Sequence, residues 1–317
     1  MTRDLPVLDD DAPREECGVF AVSGAERAAE LAYMGLYSLQ HRGQESAGIV
    51  TIDDDGVARS HRDTGLVSEV FSDEHMRRLE GRTALGHVRY STSGGSGLRN
   101  AQPVLVDYHR GPLALAHNGN LTNQQVLRDR LVEDGAIFQT DSDSEVVIHL
   151  IANSRRESEK SQVDDALSQV AGAFSLVLSI GDTLYAARDP RGFRPLILGR
   201  RNGAAIVASE TCALDIIGAD YVRDIEPGEV LRIRDGEVEE LRPLPPEEPA
   251  PCLFELVYFA RPDSQIWGVS VDRARRAFGR QLAREHPVEA DCVFSVPDSA
   301  NSSALGYAEE SGVPFEL

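Results

Sequence analysis

Hydrophobic and polar residues are arranged in short blocks along the first three quarters of the chain. Apolar stretches with period-two or continuous character predict β-strands at residues 18–22, 48–52, 83–88, 113–116, 174–180, 183–187, 195–198, 204–208 and 229–233. Apolar residues at helical spacing predict helices at residues 26–39, 122–133, 144–153 and 162–171, with Thr122 as a cap. Strands and helices that arrive in blocks predict helices layered over sheets.

A proline-rich stretch then divides the chain. Residues 243–251 combine five prolines with two glutamates, a composition typical of a linker. A strand at 254–259, a helix at 271–284, a strand at 291–296 and a helix at 299–311 are predicted after it. We therefore expect one domain over residues 17–242 and a second over 252–317 that is too short to close a sheet of its own.

Composition narrows the class of protein. The chain has 317 residues and a formal net charge of −20, and Lys160 is its only lysine. This pattern favours a salty cytoplasm, with a codon bias toward arginine as the alternative. Nucleic-acid binding needs a basic surface, so this excess of acidic residues argues against it. No apolar run approaches the ~18 residues of a membrane span, and no secretory signal is present, so we expect a cytoplasmic protein without membrane contact.

Cys17 is the first candidate for chemistry. It follows a polar leader and precedes Gly18 and an apolar strand. If residues 1–16 were removed, its thiol could attack while its own α-amino group, with a pKa near ~7.7–8.0, takes the proton. The alternative is a small buried hydrophobe that opens a strand.

Four polar clusters follow apolar stretches, where sites are commonly built. They occupy residues 38–48, 86–92, 116–121 and 140–145. Each has a structural alternative: a surface Arg42, an ion-paired Arg89, a hairpin turn at Asn118-Gly119 and a helix cap at Asp143. Their occurrence together, in this order behind Cys17, favours a functional site.

These motifs resemble a known family. Cys17-Gly-Val-Phe, Gln40-His-Arg-Gly-Gln-Glu, Gly86-His-Val-Arg-Tyr, His117-Asn-Gly-Asn and Ser142-Asp-Ser-Glu are similar to the glutaminase domain of class II glutamine amidotransferases, which are N-terminal-nucleophile hydrolases. Residues 208–215, 226–229 and 258–264 narrow the resemblance to the amidophosphoribosyltransferase branch. The resemblance implies an α+β fold: a four-layer αββα sandwich, followed by the beginning of a type I phosphoribosyltransferase α/β domain.

The resemblance also implies roles for residues in the reaction with L-glutamine. Cys17 would be the nucleophile, and Asn118 with the backbone N–H of Gly119 the oxyanion hole. Arg42 would help close the site near the nucleophile. The substrate-binding residues would be Arg89 for the α-carboxylate, Asp143 for the α-ammonium group, and His87. Residues 1–16 would be a propeptide cut at the Glu16–Cys17 bond.

For the second domain the resemblance implies phosphoribosyl pyrophosphate with Mg²⁺ in a full-length enzyme, which would make 5-phosphoribosylamine, the first step of purine synthesis. The family's acidic phosphoribosyl-pyrophosphate motif is absent from this sequence, so we expect the glutaminase half-reaction alone. Cys252 is either one ligand of a [4Fe–4S] cluster, which takes four thiolates, or a buried thiol. A homo-oligomer is expected. The alternatives are another class II glutamine amidotransferase and a non-catalytic fragment.

Overall fold

The computed structural model describes residues 17–90, 97–241 and 244–316. The strands are β1 (Gly18–Ser23), β2 (Ser46–Ile52), β3 (Ala58–Thr64), β4 (Thr83–Arg89), β5 (Val104–Tyr108), β6 (Gly111–Leu121), β7 (Gly172–Ile180), β8 (Thr183–Arg188), β9 (Ile197–Arg201), β10 (Ala204–Ala208), β11 (Asp220–Asp224), β12 (Val230–Arg234), β13 (Glu237–Leu241), β14 (Gln265–Ile266) and β15 (Val269–Ser270). The predicted propeptide, residues 1–16, lies outside the described residues.

Helices alternate with these strands. The α-helices are α1 (Ala28–Ser38), α2 (Val67–Val70), α3 (Asp73–Arg78), α4 (Gln124–Glu133), α5 (Ser144–Asn153), α6 (Glu159–Leu167), α7 (Cys212–Asp215), α8 (Val271–Glu285) and α9 (Asn301–Ser311). Short 3₁₀-helices cover Gln40–Arg42 and Leu98–Asn100, and a π-helix covers Glu255–Phe259. No helix in the described ranges combines the length and apolar character that a membrane span requires.

Two antiparallel sheets form the centre of the first unit. One has the strand order β11-β9-β10-β1-β4-β2-β3, and the other has the order β13-β12-β8-β7-β6-β5. Because successive side chains of a strand point to opposite faces, each sheet contributes one face to a shared core and one face to a helical layer. Val19, Leu85 and Ala116 lie in the core between the sheets.

Each outer face packs against its own helices. Phe20 of β1 shares a core with Leu36 of α1 and Leu214 of α7. Leu115 of β6 shares another core with Ile151 of α5. Helices, sheet, sheet and helices therefore stack in four layers, which confirms the predicted αββα sandwich.

The second unit is built on helix contact. Helices α8 and α9 approach so closely that a Cβ at Gly279 would lie only 1.9 Å from the carbonyl oxygen of Ser303. A small core of Ala260, Ile266 and Val271 closes the unit at the β14–β15 hairpin. The proposed domain boundaries and the 243–251 linker remain predictions.

Two predicted strands of the second unit are wrong. In the predicted strand 254–259, residues 255–259 form the π-helix instead, because a continuous apolar run does not distinguish a strand from a helical segment. Residues 291–296 form only an isolated bridge, in which the N–H of Val293 donates to the carbonyl of Pro314 at 2.8 Å. Residues 314–316 supply the only strand-like partner among the described residues, so the pairing stops there.

Helix starts in the first unit also differ from the prediction. Helix α4 begins at Gln124, and the hydroxyl of Thr122 donates to the carbonyl of Ala171 instead of capping the helix. Helix α6 covers Glu159–Leu167 and not residues 162–171, because Ser158 accepts a hydrogen bond from the N–H of Ser161 and so starts the helix earlier.

Candidate active site

Strand alternation brings the candidate residues to one end of the layer between the sheets. Cys17 stands two residues before Val19, whose side chain points into that layer. Strand β4 pairs with β1 so that Gly18 lies opposite Val88. The same alternation on β4 and β6 directs toward this layer the side chains of His87, Arg89 and Asn118.

Cys17 is held in a dry and charged environment. Its side chain is buried, with the residue 8% exposed, and its thiol donates to the carbonyl of Tyr90 at 3.7 Å. Burial raises the pKa of the thiol to about 11, although the charges of Arg89 and Arg42 oppose the rise and that of Asp143 adds to it. The thiol is therefore protonated at neutral pH and needs a base to react.

Arg42 lies directly behind Cys17. It is 0% exposed, and its Nε donates to the carbonyl oxygen of Cys17 at 2.9 Å. Its terminal nitrogens donate to the carboxylates of Glu210 at 2.6 Å and Glu255 at 2.8 Å. Motif reasoning missed both carboxylates. A lone glutamate inside the apolar run of residues 253–259 was the available signal for Glu255.

Asn118 and Gly119 lie within β6, opposite Ser175 and Phe174 of β7. They do not form the hairpin turn that this pair of residues often indicates. Asn118 is 2% exposed, and its Nδ2 has no hydrogen-bond partner within the described parts of the chain. Gly119 has φ +147°, and a Cβ there would lie 2.1 Å from the carbonyl oxygen of Ala173, so only glycine fits.

Asp143 and Arg89 place opposite charges near the thiol. The Asp143 carboxylate accepts the N–H of Leu121 at 2.8 Å and the hydroxyl of Ser144 at 3.2 Å. Burial opposes ionisation, but the nearby His117 and these hydrogen bonds hold the pKa of Asp143 below its usual range. Arg89 is also buried, with Nη1 3.8 Å from the Glu45 carboxylate. Asp143 is therefore an anion at neutral pH, and its charge and that of Arg89 both act on the Cys17 thiol.

His87 is fully buried between the sheets. Its Nε2 lies 3.0 Å from the carbonyl oxygen of His117, so this nitrogen carries the proton and donates. Burial lowers the pKa of His87 to about 3. The imidazole is therefore neutral, and its hydrogen bond joins β4 to β6 directly beside Asn118.

Cys252 lies at the start of the segment that carries Glu255, and its carbonyl accepts the backbone N–H of Glu255 at 3.0 Å. Its backbone N–H donates to the carbonyl of Phe193 at 3.1 Å, and the side chain is half-buried. Within the described ranges, no three His, Cys, Asp or Glu residues are grouped so as to hold a metal ion. One thiolate does not fit a [4Fe–4S] cluster, which needs four ligands.

The arrangement suits attack on a small zwitterionic amide. A thiol is the nucleophile, and an unpartnered amide N–H₂ is a donor for a developing oxyanion. An anion and a guanidinium nearby match the ammonium and carboxylate groups of an amino acid.

Known proteins share this arrangement of sequence and fold. A profile of the glutamine amidotransferase domain matches residues 87–215. Amidophosphoribosyltransferase 1, chloroplastic, of Arabidopsis thaliana is 50% identical over 97% of this chain and 55% of its own length. The amidophosphoribosyltransferase of Bacillus subtilis is 47% identical over 96% of this chain and 64% of its own length.

A solved structure extends the similarity to three dimensions. The glutamine phosphoribosylpyrophosphate amidotransferase from B. subtilis, complexed with ADP and GMP, matches with a TM-score of 0.91 and 46% identity, covering 95% of this chain and 65% of that one. The fold is the N-terminal-nucleophile fold of glutamine amidotransferases. Over nearly its whole length, the chain is similar to amidophosphoribosyltransferases. It spans less than two thirds of the length of these relatives.

Proposed function

We propose that the first unit hydrolyses L-glutamine to glutamate and ammonia with Cys17 as the nucleophile. The observation that carries this proposal is the unpartnered Nδ2 of the buried Asn118 at the same end of the inter-sheet layer as Cys17. Leaving a buried donor unpaired costs about 1–3 kcal/mol. An anion that forms only during the reaction would supply the missing partner and offset that cost in the transition state.

The proposed reaction begins with removal of residues 1–16, which frees the α-amino group of Cys17. This amine takes the thiol proton as Sγ attacks the carboxamide carbon. Asn118 and the N–H of Gly119 receive the tetrahedral oxyanion. As the C–N bond breaks, the ammonium proton passes to the leaving nitrogen, and ammonia departs from a thioester. Water then hydrolyses the thioester, with the amine again as base, and glutamate and the free thiol are formed.

Substrate recognition follows from charge. Arg89 would bind the α-carboxylate of glutamine, and Asp143 would bind the α-ammonium group. His87 is buried and donates to the carbonyl of His117, which supports an indirect binding role through the position of Asn118. Arg42 would fix the main chain of Cys17.

For a chain of the relatives' full length, we propose transfer of the ammonia to phosphoribosyl pyrophosphate, with Mg²⁺ brought by that substrate. The names of the relatives support this extension. The domain division at residues 243–251, a cytoplasmic location and a homo-oligomer are part of the same proposal.

The test compares Cys17→Ala with Cys292→Ser, which removes an exposed thiol. We expect the unmodified protein to lose residues 1–16, as N-terminal mass reports, and then to release glutamate from glutamine. Cys17→Ala should release none, and Cys292→Ser should match the unmodified protein. An intact N-terminus with no glutamate release would support the non-catalytic alternative, and activity that survives Cys17→Ala would refute the proposed nucleophile.

A further inference from the structure

Glu255 lies beyond the 243–251 stretch, yet it contacts Arg42 of the first unit. Both of its carboxylate oxygens accept from Arg42: Oε2 from Nη1 and Oε1 from Nη2, each at 2.8 Å. Oε1 also accepts from Arg194 at 3.2 Å. Glu255 and Arg42 are both 0% exposed. A planar, two-bond pair of this kind fixes the guanidinium in one orientation.

Glu210 also holds the Arg42 guanidinium. Its Oε1 accepts from Arg42 at 2.6 Å and lies 2.7 Å from Nε2 of His41. Its Oε2 accepts the N–H of Arg261 at 2.9 Å and the hydroxyl of Ser264 at 2.7 Å. Burial opposes the ionised form, but His41 and Arg42 hold the pKa of Glu210 below its usual range. Two residues of the second unit thus hold Glu210 as well.

The Nε–H of Arg42 is directed at Cys17. Its Nε donates to the Cys17 carbonyl at 2.9 Å, so the orientation of the guanidinium sets the position of that carbonyl. Rotation at the Cys17 carbonyl moves the residue's own α-nitrogen and Sγ, which are the proposed base and nucleophile. The network therefore runs from the second unit to the main chain of the reacting residue without an exposed member between Glu255 and Cys17.

We propose that Glu255 is a positioning residue for the nucleophile, acting through Arg42 on the carbonyl of Cys17. The catalytic geometry of the first unit is then completed by a carboxylate that lies beyond the 243–251 linker. This inference rests on the proposed glutaminase function. Because Arg89 and Asp143 are not part of the network, loss of Glu255 should affect the rate of reaction and leave the binding of glutamine intact.

The test uses Glu255→Gln, which keeps the shape and removes the charge. The matched control is Glu229→Gln, since Glu229 is also buried and accepts two bonds from one arginine, Arg223, at 2.8 Å each. Displacement of reacting groups by ~1 Å can cost about 100-fold in rate, so we expect kcat for glutamine to fall 10- to 100-fold in Glu255→Gln with KM within about twofold. Glu229→Gln should lower Tm and keep kcat.

A second readout does not depend on glutaminase activity. We would measure by mass spectrometry the pH at which iodoacetamide alkylates Cys17 at half its maximal rate. In Glu255→Gln the negative charge beside Arg42 is gone, so the Arg42 charge is less compensated and stabilises the Cys17 thiolate. The midpoint should therefore fall by at least half a pH unit in Glu255→Gln and stay unchanged in Glu229→Gln. The groups facing the thiol that enter this balance are Arg42, Arg89 and Asp143.

A double-mutant cycle with Arg42→Lys then isolates the route of action. If Glu255 acts through Arg42, Glu255→Gln should add less than a twofold loss of kcat in the Arg42→Lys background. Additive losses, or an unchanged alkylation midpoint in folded Glu255→Gln, would overturn the proposal. If Glu255→Gln does not fold, Glu255→Asp takes its place and should show the same shift in smaller degree. A protein that releases no glutamate but shows the midpoint shift would refute the glutaminase and leave the positioning role standing.

Discussion

Two buried polar atoms at the end of the inter-sheet layer where Cys17 lies lack hydrogen-bond partners within the described ranges: Nδ2 of Asn118 and Nδ1 of His87. Buried polar groups are paired in the great majority of cases, so each exception calls for a reason. For Asn118 the reason we propose is a partner that exists only during the reaction. For His87 the other ring nitrogen is already used by the carbonyl of His117, and the imidazole fills the space between the sheets.

Burial of His87 predicts a specific acid sensitivity. The pKa of His87 is about 3 in the folded protein, against about 6.5 for a free imidazole. Between these values the unfolded chain binds a proton that the folded chain does not, so stability is full above pH 6.5 and is lost as the pH falls toward 3. One such group costs ~1.4 kcal/mol per pH unit, or about 2 kcal/mol between pH 6.5 and 5.

The measurement is urea unfolding of the parent protein and His87→Gln at pH 7 and pH 5. Glutamine can still donate to the carbonyl of His117 but does not titrate. We expect the parent to lose about 2 kcal/mol more than the variant on acidification. His286→Gln, at an exposed position, should follow the parent. Equal losses in the parent and in His87→Gln would show that this imidazole does not carry the acid sensitivity.

At the same scale, motif spacing located the polar residues that lie near Cys17, but not their support. Arg42, Arg89, Asn118 and Asp143 each stand in a short motif that a single sequence displays. Glu255 is 213 positions from Arg42, and nothing local to either residue announces the pair. Contacts of this kind depend on the way two distant segments meet, which local patterns do not encode.

Among elements, the strands of the two large sheets that sequence patterns did not reveal share one property. β3, β5, β11 and β13 are the four edges of the two large sheets. Edge strands bury less of their surface and carry more charge, which removes the apolar signal on which the prediction depends. β13, for example, reads Glu-Val-Glu-Glu-Leu. The interior strands were predicted to within three residues at each end, except β6, which runs five residues beyond the predicted 113–116.

The 3₁₀-helix that carries Arg42 depends on a close approach to β4. A Cβ at Gly43 would lie 2.6 Å from the carbonyl carbon of Arg89, closer than side-chain carbons come to a backbone. Gly43 has an ordinary extended conformation, with φ −169°, so space and not backbone strain requires glycine here. Any larger residue must move the 3₁₀-helix and β4 apart, and with them Arg42 and Arg89.

Gly43→Ala should therefore impair both activity and stability. Overpacking of this kind costs about 1–3 kcal/mol, and a shift of the reacting groups should lower kcat for glutamine about 10- to 100-fold. Gly279→Ala is the matched control, because its Cβ would meet the carbonyl oxygen of Ser303 at 1.9 Å between α8 and α9, away from Cys17. It should lower Tm and keep kcat at a temperature where it is folded. Full activity in Gly43→Ala would contradict the close-packing argument.

On the scale of the whole molecule, the sandwich and its helical layers followed from periodicity and from the family resemblance, but the junction between units did not. The composition of residues 243–251 predicted a linker between a first domain and an incomplete second one. Leu244 of that stretch packs into the core that includes α5, and Glu255 and Ser264 beyond it bond to residues of the first unit. Stability and proposed catalysis are therefore expected to depend on both units together.

Net charge is the remaining property of the whole molecule, and two salt effects oppose each other. Screening weakens exposed ion pairs such as Arg284–Glu310, but such pairs contribute little to stability. Screening also relieves the mutual repulsion of 20 uncompensated negative charges, which extends over the entire surface. The Debye length falls from ~10 Å at 0.1 M salt to ~3 Å at 1 M. Salt therefore weakens the long-range repulsion more than it weakens the short-range ion pairs.

We therefore expect Tm to rise by several degrees as KCl increases from 0.05 to about 1 M at pH 7.5, followed by scanning calorimetry. The control is the same titration at the isoelectric pH, where no net repulsion remains to be screened and the rise should largely disappear. A rise of equal size at both pH values would assign the effect to salting-out of apolar surface, and a falling Tm at pH 7.5 would mean that the ion pairs outweigh the repulsion. If Tm at pH 7.5 continues to rise at KCl concentrations well beyond about 1 M, adaptation to a salty cytoplasm is favoured over codon bias as the origin of the acidic, lysine-poor composition.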